Sequence, residues 1–274
     1  MPPTSLQPAL SALPEADDRL LARPPLDLVI CEVRTLPSPG LVLEPNEGLR
    51  LKDAATAAGF AVQRLEQAQQ QSVRLEVVAG QPPAPSIELR NIGWQLIAPE
   101  AGCVATVMPG VMTLQTTQYR SWAETFRPLL ASVLTAVGEV LAPQIRQRVG
   151  LRYIDRLVDP DASSAFSWRG RVIDGILGPV ADPTFGERVV TMQQQLELTI
   201  SDNSSAVVRH GPFADGAAHG AISYMIDIDA FDIASAAYEV DTTLAVADEL
   251  NRVALSLFQA MLNPDYLAEL REGP

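Results

Sequence analysis

Short apolar runs separated by Pro and Gly follow one another along this 274-residue chain, and few stretches have helical periodicity. Several runs succeed one another between Ile87 and Gln118, and further ones lie at 149–157, 193–201 and 222–228. Strands that follow one another without an intervening helix favour antiparallel pairing over a doubly wound parallel sheet. The sequence therefore predicts an α+β fold with mostly antiparallel sheets and a few long amphipathic helices.

Three stretches have the apolar spacing of an amphipathic helix. They are residues 49–70, 121–141 and 241–261. Ser121, with Glu124 three positions later, matches a capping box at the start of the second helix. The first helix contains Gly59, where a bend or break is expected, and the polar run Gln67 to Gln71 is predicted to form its solvated end.

The order of these patterns predicts how the chain is divided. Residues 1–25 are rich in Pro, Ala and Leu, which predicts a loose N-terminal arm. Two blocks follow in which strands precede a helix: a first α+β half over 26–160 and a second over 161–274, ending in the long helix. Two related sheet-plus-helix halves would fit a divergent duplication. No residue pattern visibly repeats, so the duplication stays an open alternative.

Composition narrows the classes of partner. The chain carries 20 basic and 33 acidic residues, a formal net charge of -13, which on average repels nucleic-acid phosphates and anionic lipid. Neither a signal peptide nor an apolar run long enough to span a membrane stands out, so a cytoplasmic location is expected. Cys31 and Cys103 lie far apart in apolar settings and are expected to be buried free thiols. No cofactor is predicted, because nucleotide-binding glycine motifs do not occur.

Three segments resemble a known family. They are Pro24-Pro25-Leu26 leading into 29–34, the run 148–157 (RVGLRYIDRL), and the strand Tyr224 to Phe231 followed by the long helix. In this order they resemble a sporadically distributed bacterial family of unknown function from the TIGR family collection, over about residues 24–270. The resemblance carries no assigned chemistry. Sporadic distribution is typical of mobile genes, such as those of phage defence or toxin neutralisation. One departure is Thr35, where the family has an aromatic residue.

The strand with Arg152, Tyr153 and Arg156 is the most promising ligand-binding candidate. Alternation places Arg152 and Arg156 on one strand face, where two guanidinium groups could bind a phosphate or carboxylate. Leu151, Tyr153 and Asp155 take the other face. The favoured alternative is that the arginines form internal ion pairs with acidic residues on neighbouring strands, such as Glu32.

Histidines and paired aspartates supply weaker candidates. His210 and His219 both stand beside glycines, which indicates exposed positions in a flexible hairpin loop, with a metal or general-base role as the alternative. Asp227 and Asp229 share a strand face and are weak candidates for a cation site. An acidic solvent-facing side of an amphipathic strand explains them without a metal, so no metal site is predicted.

Two functions follow from these patterns. The leading prediction is a non-enzymatic protein-binding or accessory protein whose partner has a basic surface, in a bacterial defence or toxin-neutralising system. The alternative is a small-ligand-binding protein or hydrolytic enzyme that uses the Arg152/Arg156 face or the His210/His219 loop. Direct nucleic-acid binding is disfavoured, because the sequence has no long basic stripe.

Overall fold

The computed structural model describes residues 13–37, 43–76, 84–218 and 221–272. Their strands are β1 (Leu26–Thr35), β2 (Arg64–Glu76), β3 (Ala84–Ala98), β4 (Cys103–Met108), β5 (Val111–Thr116), β6 (Ile145–Leu157), β7 (Gln194–Thr199), β8 (Ser204–Ala214), β9 (Ile222–Asp232) and β10 (Ala236–Ala237). Their α-helices are α1 (Pro45–Ala57), α2 (Arg127–Leu141), α3 (Asp174–Leu177), α4 (Pro183–Gly186), α5 (Val240–Met261) and α6 (Pro264–Glu272). Large antiparallel pairing together with helices confirms the predicted α+β class.

The chain forms two compact units that are discontinuous in sequence. The first unit consists of Leu28–Leu151 and Ile233–Ala247, and the second of Met1–Asp27, Arg152–Asp232 and Asp248–Pro274. Strands β1 and β6 and helix α5 therefore contribute residues to both units. None of the helices in the described residues is long and apolar enough to cross a membrane.

The first unit has the strand order β2-β3-β4-β5-β1, with β6 beside β1. The first four of these neighbouring pairs are antiparallel. Four residues that lie opposite one another on neighbouring strands are fully buried, namely Leu96, Ala105, Leu114 and Cys31. Apolar residues of α2 complete this core, because Leu134 and its neighbours are buried as well. The core is closely packed, since the small void beside α2 has a volume of only about 20 Å³.

The second unit has the strand order β6-β9-β8-β7. Strands β7, β8 and β9 form an antiparallel meander in which alternate residues point to opposite faces. One face is apolar: Val208 lies opposite Ile228, and Ala206 opposite Ala230, all of them buried. The other face carries polar residues, among them Arg209 opposite Asp227. Helix α5 adds a stripe of buried residues to the same unit, namely Leu250, Ala254, Leu257 and Phe258.

Two of the three predicted helices are confirmed. The long C-terminal helix runs over Val240–Met261. The middle one runs over 122–141, and the Ser121 side chain accepts a hydrogen bond from the Glu124 backbone N–H at 3.2 Å, as predicted. The other half of the predicted capping box differs, because the Ser121 backbone N–H donates to the Thr125 hydroxyl at 3.1 Å. Its first turn, Trp122–Phe126, is a π-helix. Pro128 has no N–H to donate to the preceding turn, and the Phe126 N–H bonds to the Ser121 carbonyl five residues back.

The prediction of a helix over 49–70 is wrong in its second half. Helix α1 ends at Ala57, and Gly59 adopts a φ of 108°, a left-handed conformation that glycine accepts readily. The glutamines Gln67 to Gln71 belong to strand β2, where each lies opposite a residue of β3. Backbone pairing with β3 therefore overrides the helix preference of glutamine, which is only a weak local signal.

Candidate functional site

Arg152 of β6 is held by a buried carboxylate. Its Nε and Nη2 donate to the two oxygens of Asp227 on β9, each at 2.7 Å. Asp227 is 3% exposed and lies 3.6 Å from Nη1 of Arg209 on β8. Arg209 in turn donates from Nε to Gln195 of β7 at 3.1 Å. These four residues form a continuous chain of polar contacts across β6, β9, β8 and β7, which we call the cross-strand row.

Arg156 is also engaged inside the protein. Its Nη1 donates to Asp215 at 3.0 Å, and its Nε lies 2.9 Å from the Asp27 carboxylate. Asp215 is buried and accepts a second hydrogen bond from the Ser223 hydroxyl at 2.8 Å. The alternative of internal ion pairs is therefore what the structure contains for both arginines. The acid named from the sequence as an example, Glu32, contacts other arginines instead.

Glu32 of β1 pairs within the first unit. Its carboxylate accepts hydrogen bonds from Arg148 at 2.7 Å and from Arg34 at 2.8 Å.

Tyr153, the third predicted ligand-binding residue of β6, donates a hydrogen bond from its hydroxyl to the Asn251 side chain of α5 at 2.8 Å. The polar groups of Arg152, Tyr153 and Arg156 are thus all bonded within the protein, the two arginines to acids and the tyrosine to helix α5. Arg152 and Arg156 therefore do not present free guanidinium groups to a ligand.

Asp155 is a buried carboxyl group that the candidates chosen from the sequence omit. It is 6% exposed, and burial, together with the charges of Asp27 and Asp227, raises its pKa to about 8. The sequence does contain a signal for it. Asp155 shares strand parity with Leu151, which is fully buried, so alternation along β6 already placed this acid on the apolar side.

The expectation that His210 is exposed in a loop is wrong. His210 lies within β8 and is 1% exposed, and its Nδ1 is 2.9 Å from the Tyr224 hydroxyl of β9. Burial lowers the pKa of His210, which favours the neutral ring, and raises the pKa of Tyr224. The strand continues through Gly211, where a Cβ atom would lie 1.9 Å from the Met192 carbonyl. His219 lies outside the described residues.

The weak metal candidates have other contacts. Both oxygens of Asp227 accept hydrogen bonds from Arg152, and Asp229 is half-buried and also has a partner. Within 13–37, 43–76, 84–218 and 221–272, His, Cys, Asp and Glu residues do not gather in groups of three or more that could hold a metal ion. Cys31 and Cys103 are free and buried, as predicted, and burial raises the pKa of Cys31 to about 12.

The segment between β6 and β7, residues 158–193, differs from the rest of the second unit, and we call it the connector. It contains only short helices, among them α3 and α4. It is nevertheless firmly anchored: Trp168 is fully buried and donates from Nε1 to the Ile222 carbonyl at 2.7 Å. The Trp168 ring also contacts the rings of Tyr224 and Tyr266, with centroids 5.5 and 6.3 Å away.

The connector exposes large apolar side chains between acidic ones. Phe185 is 57% exposed and Val190 63%, and Val158 and Ile173 are exposed as well. The exposed acids of the same segment are Asp161, Asp174, Asp182 and Glu187. An open groove of about 650 Å³ runs along it, lined by Phe166, Ser167, Arg169, Gly170, Val172, Ile173, Asp174 and Asn263. Four of the ten large apolar side chains that are exposed among the described residues thus lie in this one segment. A contiguous exposed apolar patch is typical of a surface that contacts another molecule.

Comparisons with known proteins give this chain no relative. No family model matches it, and no curated protein matches it. Among solved structures, it is similar to the structure of the S. pombe Pct1 RNA triphosphatase at 8% identity, over 90% of this chain and 86% of that one, with a TM-score of 0.11. A likeness of that size carries no argument about fold or function.

Proposed function

We propose that this protein is a non-enzymatic binding protein that docks a protein partner with a basic surface through its connector. The observation that carries the proposal is the exposure of Phe185, Val190, Val158 and Ile173 on a segment anchored by buried Trp168. A fixed segment loses little conformational freedom on binding, so apolar area buried against a partner translates into affinity.

Charge supports the choice of a basic partner. The connector has four exposed acids and two exposed arginines, Arg169 and Arg188, beside its apolar residues, and the whole chain has a net charge of -13. An apolar centre with a charged rim is the usual composition of a protein interface. An acidic rim accelerates association with a basic partner and makes the rate depend on salt. The resemblance to a sporadically distributed family supports a role in bacterial defence or toxin neutralisation.

A second candidate is a ligand-binding or hydrolytic site near Asp155. The observation in its favour is a buried carboxyl with a pKa of about 8, close to Asp27 and Asp227 in a unit with several arginines. Perturbed carboxyls of this kind occur at catalytic sites as general acids or bases. The internal pairing of Arg152 and Arg156 favours the docking function, because both guanidinium groups are already bound to carboxylates of the fold.

The test compares capture of a partner by three versions of the tagged full-length chain. The wild type, a connector variant with Phe185→Ser and Val190→Ser, and a control with Leu20→Ser and Leu49→Ser are each incubated with lysate at low and at high salt. Leu20 and Leu49 are exposed apolar residues outside the connector, 68% and 54% exposed. The proposal expects one and the same protein to be retained by the wild type and the control and lost by the connector variant.

Salt gives the second readout. Retention by the wild type should fall as salt rises, because attraction between exposed charges is screened. Two results would overturn the proposal: equal capture by all three versions, or recovery of the chain alone at both salt concentrations. A catalytic or ligand-binding role at Asp155 would instead predict that Asp155→Asn leaves capture unchanged while abolishing ligand binding or turnover.

A further inference from the structure

Strand β2 ends the strand order of the first unit, and within the described residues one of its edges has no neighbouring strand. It is 13 residues long and pairs along its length with β3, and no other strand of the described ranges pairs with it. Strand β3 pairs with β4 only over Trp94–Ala98. Beyond Ala68, the β2–β3 ribbon therefore has two strands, whereas an isolated two-stranded ribbon is at best marginally stable in water.

The sequence of β2 is complementary to itself in the antiparallel direction. From residue 64 to 76 it reads RLEQAQQQSVRLE, with Gln70 at its centre. If two copies are aligned in opposite directions about Gln70, Arg64 falls opposite Glu76, and Glu66 falls opposite Arg74. Leu65 falls opposite Leu75 in the same alignment. Every acid on the strand thus meets a base of the other copy, and each leucine meets a leucine.

The backbone of β2 is compatible with this alignment. Positions paired about Gln70 have the same parity, so partners lie on the same face of the combined sheet. The irregularity in the β2–β3 ladder falls between Ala68 and Gln69, and there the pairing on β3 passes from Gly93 to Asn91. The additional residue, Ile92, is therefore on β3, and the alternation of β2 is uninterrupted.

We propose that two copies of this chain pair through β2, antiparallel and centred on Gln70. The pairing joins two ribbons into a four-stranded one and places residues of opposite charge at four pairs of facing register positions across the new edge, an arrangement that stabilises antiparallel strands. In one copy alone, Arg64 lies 3.6 Å from Glu66 and both are largely exposed, so little is given up when they change partners. The occupant of this edge is a second copy, independently of the partner proposed for the connector.

The test uses charge reversal on β2. An acidic variant, Arg64→Glu with Arg74→Glu, places four acids on the strand, and a basic variant, Glu66→Arg with Glu76→Arg, places four bases there. Each variant alone sets like charges opposite one another, so its dimer should be weakened by at least about tenfold. A mixture of the two restores an opposite charge at all four positions. Sedimentation velocity of the full chain at micromolar concentration measures the mass of the wild type, of each variant and of the mixture.

The proposal expects a wild-type dimer, two monomeric variants and a heterodimer in the 1:1 mixture. The control variant, Arg169→Glu with Arg252→Glu, changes the net charge as the acidic variant does but at exposed arginines outside β2, and it should stay dimeric. A monomeric wild type would mean that the charges protect an edge that stays free, and would refute the pairing. Variants that remain dimeric, or folded variants that fail to combine on mixing, would refute it as well. Far-ultraviolet circular dichroism of each variant shows that it is folded.

Discussion

The two units arrange their strands by the same rule. In the first unit, β1 lies next to β5, and β4, β3 and β2 follow outward; in the second, β6 lies next to β9, and β8 and β7 follow outward. In both, the first strand of the unit neighbours the last strand of its meander, and a long helix follows in the chain: α2 after β5, and α5 after β9 and the two-residue strand β10. The duplication stays a prediction, and a shared strand order is the arrangement that it would produce.

The meander has four strands in the first unit and three in the second, and two further differences lie at the periphery of the sheet. The first unit enters its meander through one regular helix, α1, and the second through the connector of short helices. The outermost strand has 13 residues in the first unit and six in the second. A common strand order therefore leaves the entry segment and the edge strand free to diverge. The two binding roles proposed for this protein fall on those two parts.

Removing the tryptophan that anchors each entry segment should have the largest effect. Trp168→Ala should lower the free energy of unfolding by about 3–5 kcal/mol, because it opens a cavity in a fully buried site. Trp94, which donates from Nε1 to the Leu43 carbonyl just before α1, is the counterpart in the first unit. Urea unfolding should give Trp94→Ala a similar loss. Only Trp168→Ala should also weaken partner capture. If Trp94→Ala weakened capture and Trp168→Ala did not, the connector would not be the binding surface.

Breaking one ion pair in each unit compares the stability that a buried carboxylate gains from its partner with the stability gained by an exposed one. Arg152→Ala leaves Asp227 buried beside the more distant Arg209, and should cost about 2 kcal/mol of stability, less than the loss of a fully buried pair because Arg152 itself is 39% exposed. Arg34→Ala leaves Glu32 half-exposed and still bonded to Arg148, and should cost less than about 0.5 kcal/mol. Thermal and urea unfolding of both variants measure the difference. Equal losses would mean that the Arg152–Asp227 pair contributes no more to the free energy of unfolding than an exposed surface pair does.

The raised pKa of Asp155 predicts a pH dependence of opposite sign to that of an ordinary salt-bridged acid. Between about pH 4, where the unfolded carboxyl ionises, and pH 8, the folded protein holds a proton that the unfolded chain has lost, so stability falls as pH rises. Asp155→Asn removes this loss. Relative to the wild type, the variant should gain at least about 1 kcal/mol of stability from pH 4 to pH 8.

Asp159 provides the matched control for that measurement. Burial opposes its ionisation, but hydrogen bonds from Arg171 and from the Asp161 backbone N–H outweigh burial and hold its pKa below the usual range. Its contribution to stability is therefore present above the unfolded pKa and is lost as pH falls through the folded one. From pH 4 to pH 8, urea unfolding of Asp159→Asn should therefore follow the wild type, and only below about pH 4 should the variant lose less stability than the wild type as pH falls. If Asp155→Asn also follows the wild type from pH 4 to pH 8, the Asp155 carboxyl is ionised in the folded protein.

Local patterns in the sequence were sufficient for the fold class and for most elements. Alternation and apolar periodicity identified β1, β6 and both long helices, because these signals depend on residues close together in the chain. The glutamines of β2 were misassigned, since their strand conformation is imposed by pairing with β3. His210 was misplaced for a related reason: glycine next to it suggested a loop, whereas pairing with β9 continues the strand to Ala214.

The candidate site was less predictable, because it depends on contacts between strands that are distant in sequence. Alternation correctly grouped Arg152 with Arg156, but it could not identify Asp227 as the partner of Arg152, 75 residues away. The parity of Asp155 with Leu151 was available in the sequence and indicated a buried acid. The exposed apolar residues of the connector had no periodic signal, since its helices are too short to show one.

The smallest difference between the two units is expected at their helix caps. Ser121 caps the helix over 122–141, and Ser121→Ala should cost about 1 kcal/mol, the usual value for losing a serine cap on a long helix. Ser164 forms a capping box with Ser167 on a turn of only four residues in the connector. Because Trp168 anchors that turn independently, Ser164→Ala should cost less than Ser121→Ala in urea unfolding. A larger loss for Ser164→Ala would mean that the connector depends on its local hydrogen bonds, and that its apolar surface is less preorganised for a partner than the proposal requires.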